Sequence, residues 1–205
     1  MITRRSVVAL VALLATGCSP SPRGQSRHSS PAAEEAPLGV APPSYDSLMD
    51  TSRWVAWRTP NFVLSHPTGA TIVIDTGRFS GVVGGALRWD FTNNRWLSLS
   101  IADVPPASAA SLKHFVDSLR TARNIDLDPD WRLAAPTRVT ISHFDALELR
   151  PNCGDCVAYE FYMELPHAWV AASFSLEQFV PYTYDQQERL YRRILATLRT
   201  PDSSD

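Results

Sequence analysis

Apolar and polar positions change period several times along this chain, and each change marks an element. Asn61-Phe62-Val63-Leu64 and Thr71-Ile72-Val73-Ile74 are β-rich runs divided by the turn signal Pro67-Thr68-Gly69. Gly77 to Gly85 is rich in glycine and reads as irregular. Ala86 to Phe91 and Arg95 to Ile101 alternate apolar with polar and flank Thr92-Asn93-Asn94, the pattern of a hairpin. Pro105-Pro106 stops the sheet. Ser108 then caps a predicted helix whose apolar stripe is Leu112, Phe115, Val116 and Leu119, spaced by three and four.

The strand pattern returns after Pro136. Val139 and Ile141 lead into a turn over Ser142 to Asp145, and Leu147 and Leu149 follow. The clearest strand is next: Val157, Tyr159, Phe161, Met163 and Leu165 point one way, Ala158, Glu160, Tyr162 and Glu164 the other. Pro166-His167 turns the chain into Trp169 to Leu176. A closing helix is expected from about Asp185 to Arg199, burying Leu190, Ile194 and Leu198 with Tyr191 and Leu195 alongside. Its basic end, Arg192, Arg193 and Arg199, complements the negative helix terminus. The order strands, helix, strands, helix argues an α+β domain: an antiparallel sheet flanked by two main helices.

Ahead of this domain the pattern is of a different kind. Arg4 and Arg5 precede an apolar run from Val7 to Ala15, too short to span a bilayer, and small residues then lead into Cys18. That is the layout of a secretion signal over residues 1–17. Leu14-Ala15-Thr16-Gly17-Cys18 resembles the bacterial lipobox, although Ala15 stands three before the cysteine, where leucine is commonest. The resemblance implies acylation of Cys18 and attachment to the cell membrane outside the cytoplasm. Ser19 after the cysteine is similar to the outer-membrane sorting pattern of diderm bacteria. Each buried methylene contributes roughly 0.8 kcal/mol, so two or three acyl chains hold where one would not.

Residues 18–44 hold the cysteine and a linker with six prolines (20, 22, 31, 37, 42 and 43) and little to bury. Such a segment reaches roughly 30 Å as a coil and about 80 Å as extended polyproline helix. Residues 45–200 form the globular domain and 201–205 a polar tail. Loss of residues 1–17 removes two arginines and no acid, so the net charge moves from −2 to −4. A mildly acidic chain has no general attraction to nucleic acid or anionic headgroups. Lys113 is the only lysine against 18 arginines, which are scattered and form no stripe.

A Phe-x-Leu strand with a Pro-x-Gly turn (Phe62 to Gly69) opens the domain. A strand pair then runs into a proline-started helix (Leu97 to Leu119). A His-Phe-Asp-Ala turn (143–146), a long hairpin and a closing amphipathic helix follow. This order, from Trp54 to Arg199, resembles the PsbP-like fold of an extrinsic photosystem II subunit, a small-GTPase regulator and many bacterial lipoproteins. That family is mostly non-catalytic. The resemblance therefore implies a binding or assembly role and transfers no active-site residue.

Cys153-Gly154-Asp155-Cys156 is the one short motif with chemical potential. Thiol exchange wants a cysteine at a helix N-terminus, but a strand follows here and Asp155 opposes thiolate formation. A disulfide closing a tight hairpin fits an oxidising compartment better. A zinc site needs about four ligands and the cysteines supply two. His143 and His167 are expected at the other end of the hairpin, roughly 16 Å or more away. The same topology brings those histidines near Asp145 and Glu164, a candidate metal or proton-transfer cluster, although turn-end polar groups are commonly just solvated. Glu160 and Glu164 lie four apart on one strand, roughly 13 Å, too far for an acid–base couple. They read as a solvated sheet face. Trp54, Trp57, Trp89, Trp96 and Trp169 read as core.

No nucleophile elbow, phosphate loop or zinc-protease helix occurs in the sequence, and no cofactor is implied. The expectation is a non-catalytic envelope lipoprotein with a protein partner. The alternatives are an envelope enzyme, either a thiol-redox accessory through Cys153 and Cys156 or a metal-dependent hydrolase through His143 and His167, and a carrier with an apolar pocket.

Overall fold

Two runs of consecutive hairpins build the main sheet of the computed structural model, which describes residues 42–74, 84–91, 95–104, 109–151 and 157–201. The first run is β3 (Thr71–Ile74), β4 (Gly84–Phe91) and β5 (Arg95–Val104). The second is β6 (Thr137–Ile141), β7 (Phe144–Leu149), β8 (Ala158–Glu164) and β9 (Trp169–Ser175). The last strand folds back beside β5, giving seven antiparallel strands in the order β3-β4-β5-β9-β8-β7-β6. Helix α2 (Leu112–Asn124) crosses one face between the runs, and α3 (Tyr184–Leu195) returns over the other. The domain is thus α+β, an antiparallel sheet flanked by helices, as the element order predicts.

Alternation along each strand makes this layering possible. On β8, Tyr159, Phe161 and Met163 face the α3 side, where they join Leu97, Leu99, Val170 and Phe174. Tyr162 faces the α2 side and packs with Leu147, Leu149, Val116 and Leu119. Each such side chain, fully buried, contributes roughly 1.5–3 kcal/mol, so a strand buried on both faces is a strong organiser of the fold.

Capping fixes where the helices begin. The Ser111 hydroxyl accepts from the His114 N–H at 3.2 Å, so the cap of α2 lies three residues beyond the one expected at Ser108. Thr183 and Gln186 form a reciprocal capping box on α3. That helix ends at Leu195, and Arg199 lies beyond it in an antiparallel bridge to Val63.

Two elements precede the sheet that periodicity does not announce. Helix α1 (Tyr45–Met49) seals the α3-side core with Leu48. Strand β1 (Trp54–Arg58) pairs with β2 (Val63–Pro67) in a separate two-stranded sheet. The Trp54 indole N–H donates to the Leu48 carbonyl at 2.8 Å, and Trp57 meets Phe62 edge-on at 5.5 Å. This hairpin docks on the chain after α3, where the Ser65 N–H donates to the Thr197 hydroxyl at 2.8 Å. Its turn into β3 uses Gly69 at φ 88°, a region open to glycine.

Candidate functional site

Cys18, Cys153 and Cys156 lie outside the described residues. His143 and His167 sit at the same end of the sheet, in the β6–β7 and β8–β9 turns, and both are exposed. The His143 Nδ1 is 3.1 Å from the Ser142 hydroxyl and its ring lies 4.0 Å from that of Phe144. Among the described residues no three histidine, cysteine or carboxylate side chains gather as metal ligands would. Asp145 and Glu164 instead line a shallow depression of about 320 Å³ with Ser111, Lys113 and Arg138, between α2 and β6. Its charges are mixed.

Glu160 is not solvated, contrary to the expectation from its place on a strand. Helix α2 brings Arg123 over it, and one guanidinium nitrogen donates to both carboxylate oxygens at 2.7 Å. The Tyr162 hydroxyl donates to the same carboxylate at 2.9 Å. Burial, with the neighbouring Glu160 charge, pushes the Tyr162 phenol well up. Glu164, two turns of the pleat along, is exposed.

A second polar network clamps α3 to the opposite face. Glu148, buried on β7, accepts from Arg150 at 2.7 and 2.9 Å and from Arg192 of α3 at 3.1 Å. Arg192 also donates to Glu188 at 2.7 Å, and the Tyr159 hydroxyl donates to Glu188 at 2.9 Å. The guanidinium of Arg150 lies 4.4 Å from the centre of the Tyr159 ring. Burial works to raise the Glu188 pKa, but the bonds from Arg192 and Tyr159 outweigh it and hold the carboxyl below its usual range. Both networks pair each carboxylate with a guanidinium and fasten a helix to the sheet.

The remaining surface of interest is a half-face of the sheet. Seven strands span roughly 29 Å at their usual spacing, and one helix about 10 Å wide covers some two of them. Helix α2 lies over β7 and β8. Over β4 and the first half of β5, no described element covers that face. Ser98, Ser100, Ser173 and Ser175 are only half-buried there. Trp96 stands among them 41% exposed, which corrects its expected place in the core; Trp57, Trp89 and Trp169 are buried as expected. Arg88 stacks 4.4 Å from the Trp96 ring and is held by Asp90 through two nitrogens at 2.6 Å. Sequence reading missed this trio. The available signal was Arg88-x-Asp90 on one strand, which places both side chains on one face, with Trp96 opposite Asp90 in register.

No protein-family model matches the chain, and no curated protein matches it. Among solved structures, a Pseudomonas aeruginosa protein of unknown function matches with 15% identity and a TM-score of 0.43, over 74% of this chain and 99% of that one. A likeness at that level carries no argument about function.

Proposed function

We propose that this chain is a lipid-anchored, extracytoplasmic protein of PsbP-like type whose domain acts as a non-catalytic binding or assembly module in the cell envelope. The observation that carries the reading is the leader: two arginines, an apolar run and small residues ending in Cys18. Membrane lipid is held through the acylated cysteine, and the proline-rich segment after it sets the domain away from the surface.

The half-face around Trp96 supports the binding part. An exposed tryptophan with an arginine stacked on its ring, Trp96 and Arg88, supplies two of the residue types that dominate protein-binding hot spots. Both functions are separable by experiment. Labelled palmitate should enter the wild-type protein, and Cys18→Ser should abolish labelling and move the protein out of the membrane fraction. No labelling, with unchanged fractionation of the variant, overturns the anchor. Gentle crosslinking and capture from solubilised membranes should recover one protein partner in near-stoichiometric amount, and Trp96→Ala should lose it. Recovery of none would overturn the binding role.

A further inference from the structure

Strand β3 ends the main sheet with Thr71-Ile72-Val73-Ile74, and among the described residues no strand pairs with its outer side. Val73 is 47% exposed and Ile74 62%. Sheets usually guard such an edge with charge or proline, because its open row of N–H and C=O groups recruits other strands. The opposite edge is guarded: β6 follows Pro136 and carries Arg138. β3 carries neither device. It is also held close to the sheet, since a Cβ on Gly85 would come within 2.6 Å of the Val73 carbonyl oxygen.

We propose that this edge is a dimer interface, β3 pairing antiparallel with β3 of a second copy about Val73. Two arguments select a second copy as the occupant. Residues opposite one another in an antiparallel pair share a face. Centring on Val73 therefore sets it against its twin on the α2 side, and Ile72 against the partner's Ile74 on the α3 side. The pairs formed among residues 72–74 are all apolar, and Thr71 lies outside them. The second argument is where the rest of the chain leaves. A two-fold axis relating antiparallel edge strands runs along the sheet normal, so both copies turn the same face to the same side. The chain enters the domain on the α3 side, where the Tyr182 hydroxyl donates to the Pro43 carbonyl at 2.6 Å and Leu48 joins the core. The described chains of both copies thus begin on one side of a continuous fourteen-stranded sheet (two sheets of seven strands), an arrangement that suits two anchors in one membrane. Four residues of edge bury less than the roughly 1,000 Å² of an interface stable in solution. Pairing then depends on the concentration that tethering provides, and so rests on the anchored reading.

The test is site-specific crosslinking in membranes carrying the full chain. Val73→Cys, placed at the two-fold, should give a disulfide-linked dimer under mild oxidation. Val55→Cys on β1, equally exposed at 45%, should give at least about five-fold less. Adding Cys18→Ser should cut the Val73→Cys yield about ten-fold by dilution. Membrane fractionation of the same samples reports the anchor independently. Equal yields at 73 and 55, or no dimer at 73 from folded, membrane-bound protein, overturns the interface while leaving the anchor standing.

Discussion

Arg123→Met isolates the most consequential polar contact in the domain. Arg123 and Glu160 side chains are 14% and 10% exposed, so water screens the pair little. Removing the guanidinium leaves a carboxylate beneath α2 with only the Tyr162 hydroxyl as partner. Breaking a buried pair from one side costs about 3–5 kcal/mol; a slightly accessible pair such as this belongs at about 3 kcal/mol. Adding Glu160→Gln removes the stranded charge while its carbonyl still accepts from Tyr162, so the double variant should recover about half of that loss. Urea unfolding of the Cys18→Ser form, followed by tryptophan fluorescence, gives both values at a constant slope. In a domain of this size the single variant should melt roughly 6–12 °C lower. A loss under about 1 kcal/mol for Arg123→Met, or a double variant no more stable than the single, would refute the claim that the pair beneath α2 is shielded from water and its charges interdependent.

Two further substitutions probe the other side of the sheet. The Tyr191 hydroxyl accepts from the Ser98 N–H at 3.1 Å, ahead of the point where β9 takes over the pairing of β5, so Tyr191→Phe strands a backbone donor. It should cost about 1–3 kcal/mol in the same assay; a neutral substitution would mean that the donor finds another partner. His66 is buried on β2, and burial holds its pKa below the ordinary 6.5 although a bond to the Pro67 carbonyl works the other way. The unfolded chain therefore takes up the proton first. Stability should be full above about pH 6.5 and fall as pH drops towards the folded value, and His66→Gln should flatten that fall. Parallel pH profiles of the two proteins would count against the assignment.

Local pattern settled a good deal of this architecture. The alternation from Tyr159 to Glu164 announces a strand with two distinct faces, and the stripes Leu112–Val116–Leu119 and Leu190–Ile194–Leu198 announce helices with one buried side. Those periods follow from backbone geometry, so residues a few positions apart carry them. They also imply the α+β class, because helices with one apolar side need a sheet to cover. The proposed leader ending in Cys18 rests on contiguous residues for the same reason.

What lay beyond the sequence depends on contacts between distant segments. Alternation says which way a side chain points, not whether another layer stands there. Glu160 and Trp96 occupy polar-patterned and apolar-patterned positions on the same face, yet Arg123 arrives over the first and nothing described covers the second. The insertion of β9 between β5 and β8 joins strands some seventy residues apart, and no local period encodes that pairing. Strand β1 was invisible because its burial runs half-buried, exposed, exposed, buried, exposed, without a period of two. The chain's own residues chose the elements; only their assembly chose which faces are dry, which charges are paired, and which sheet edge is left open.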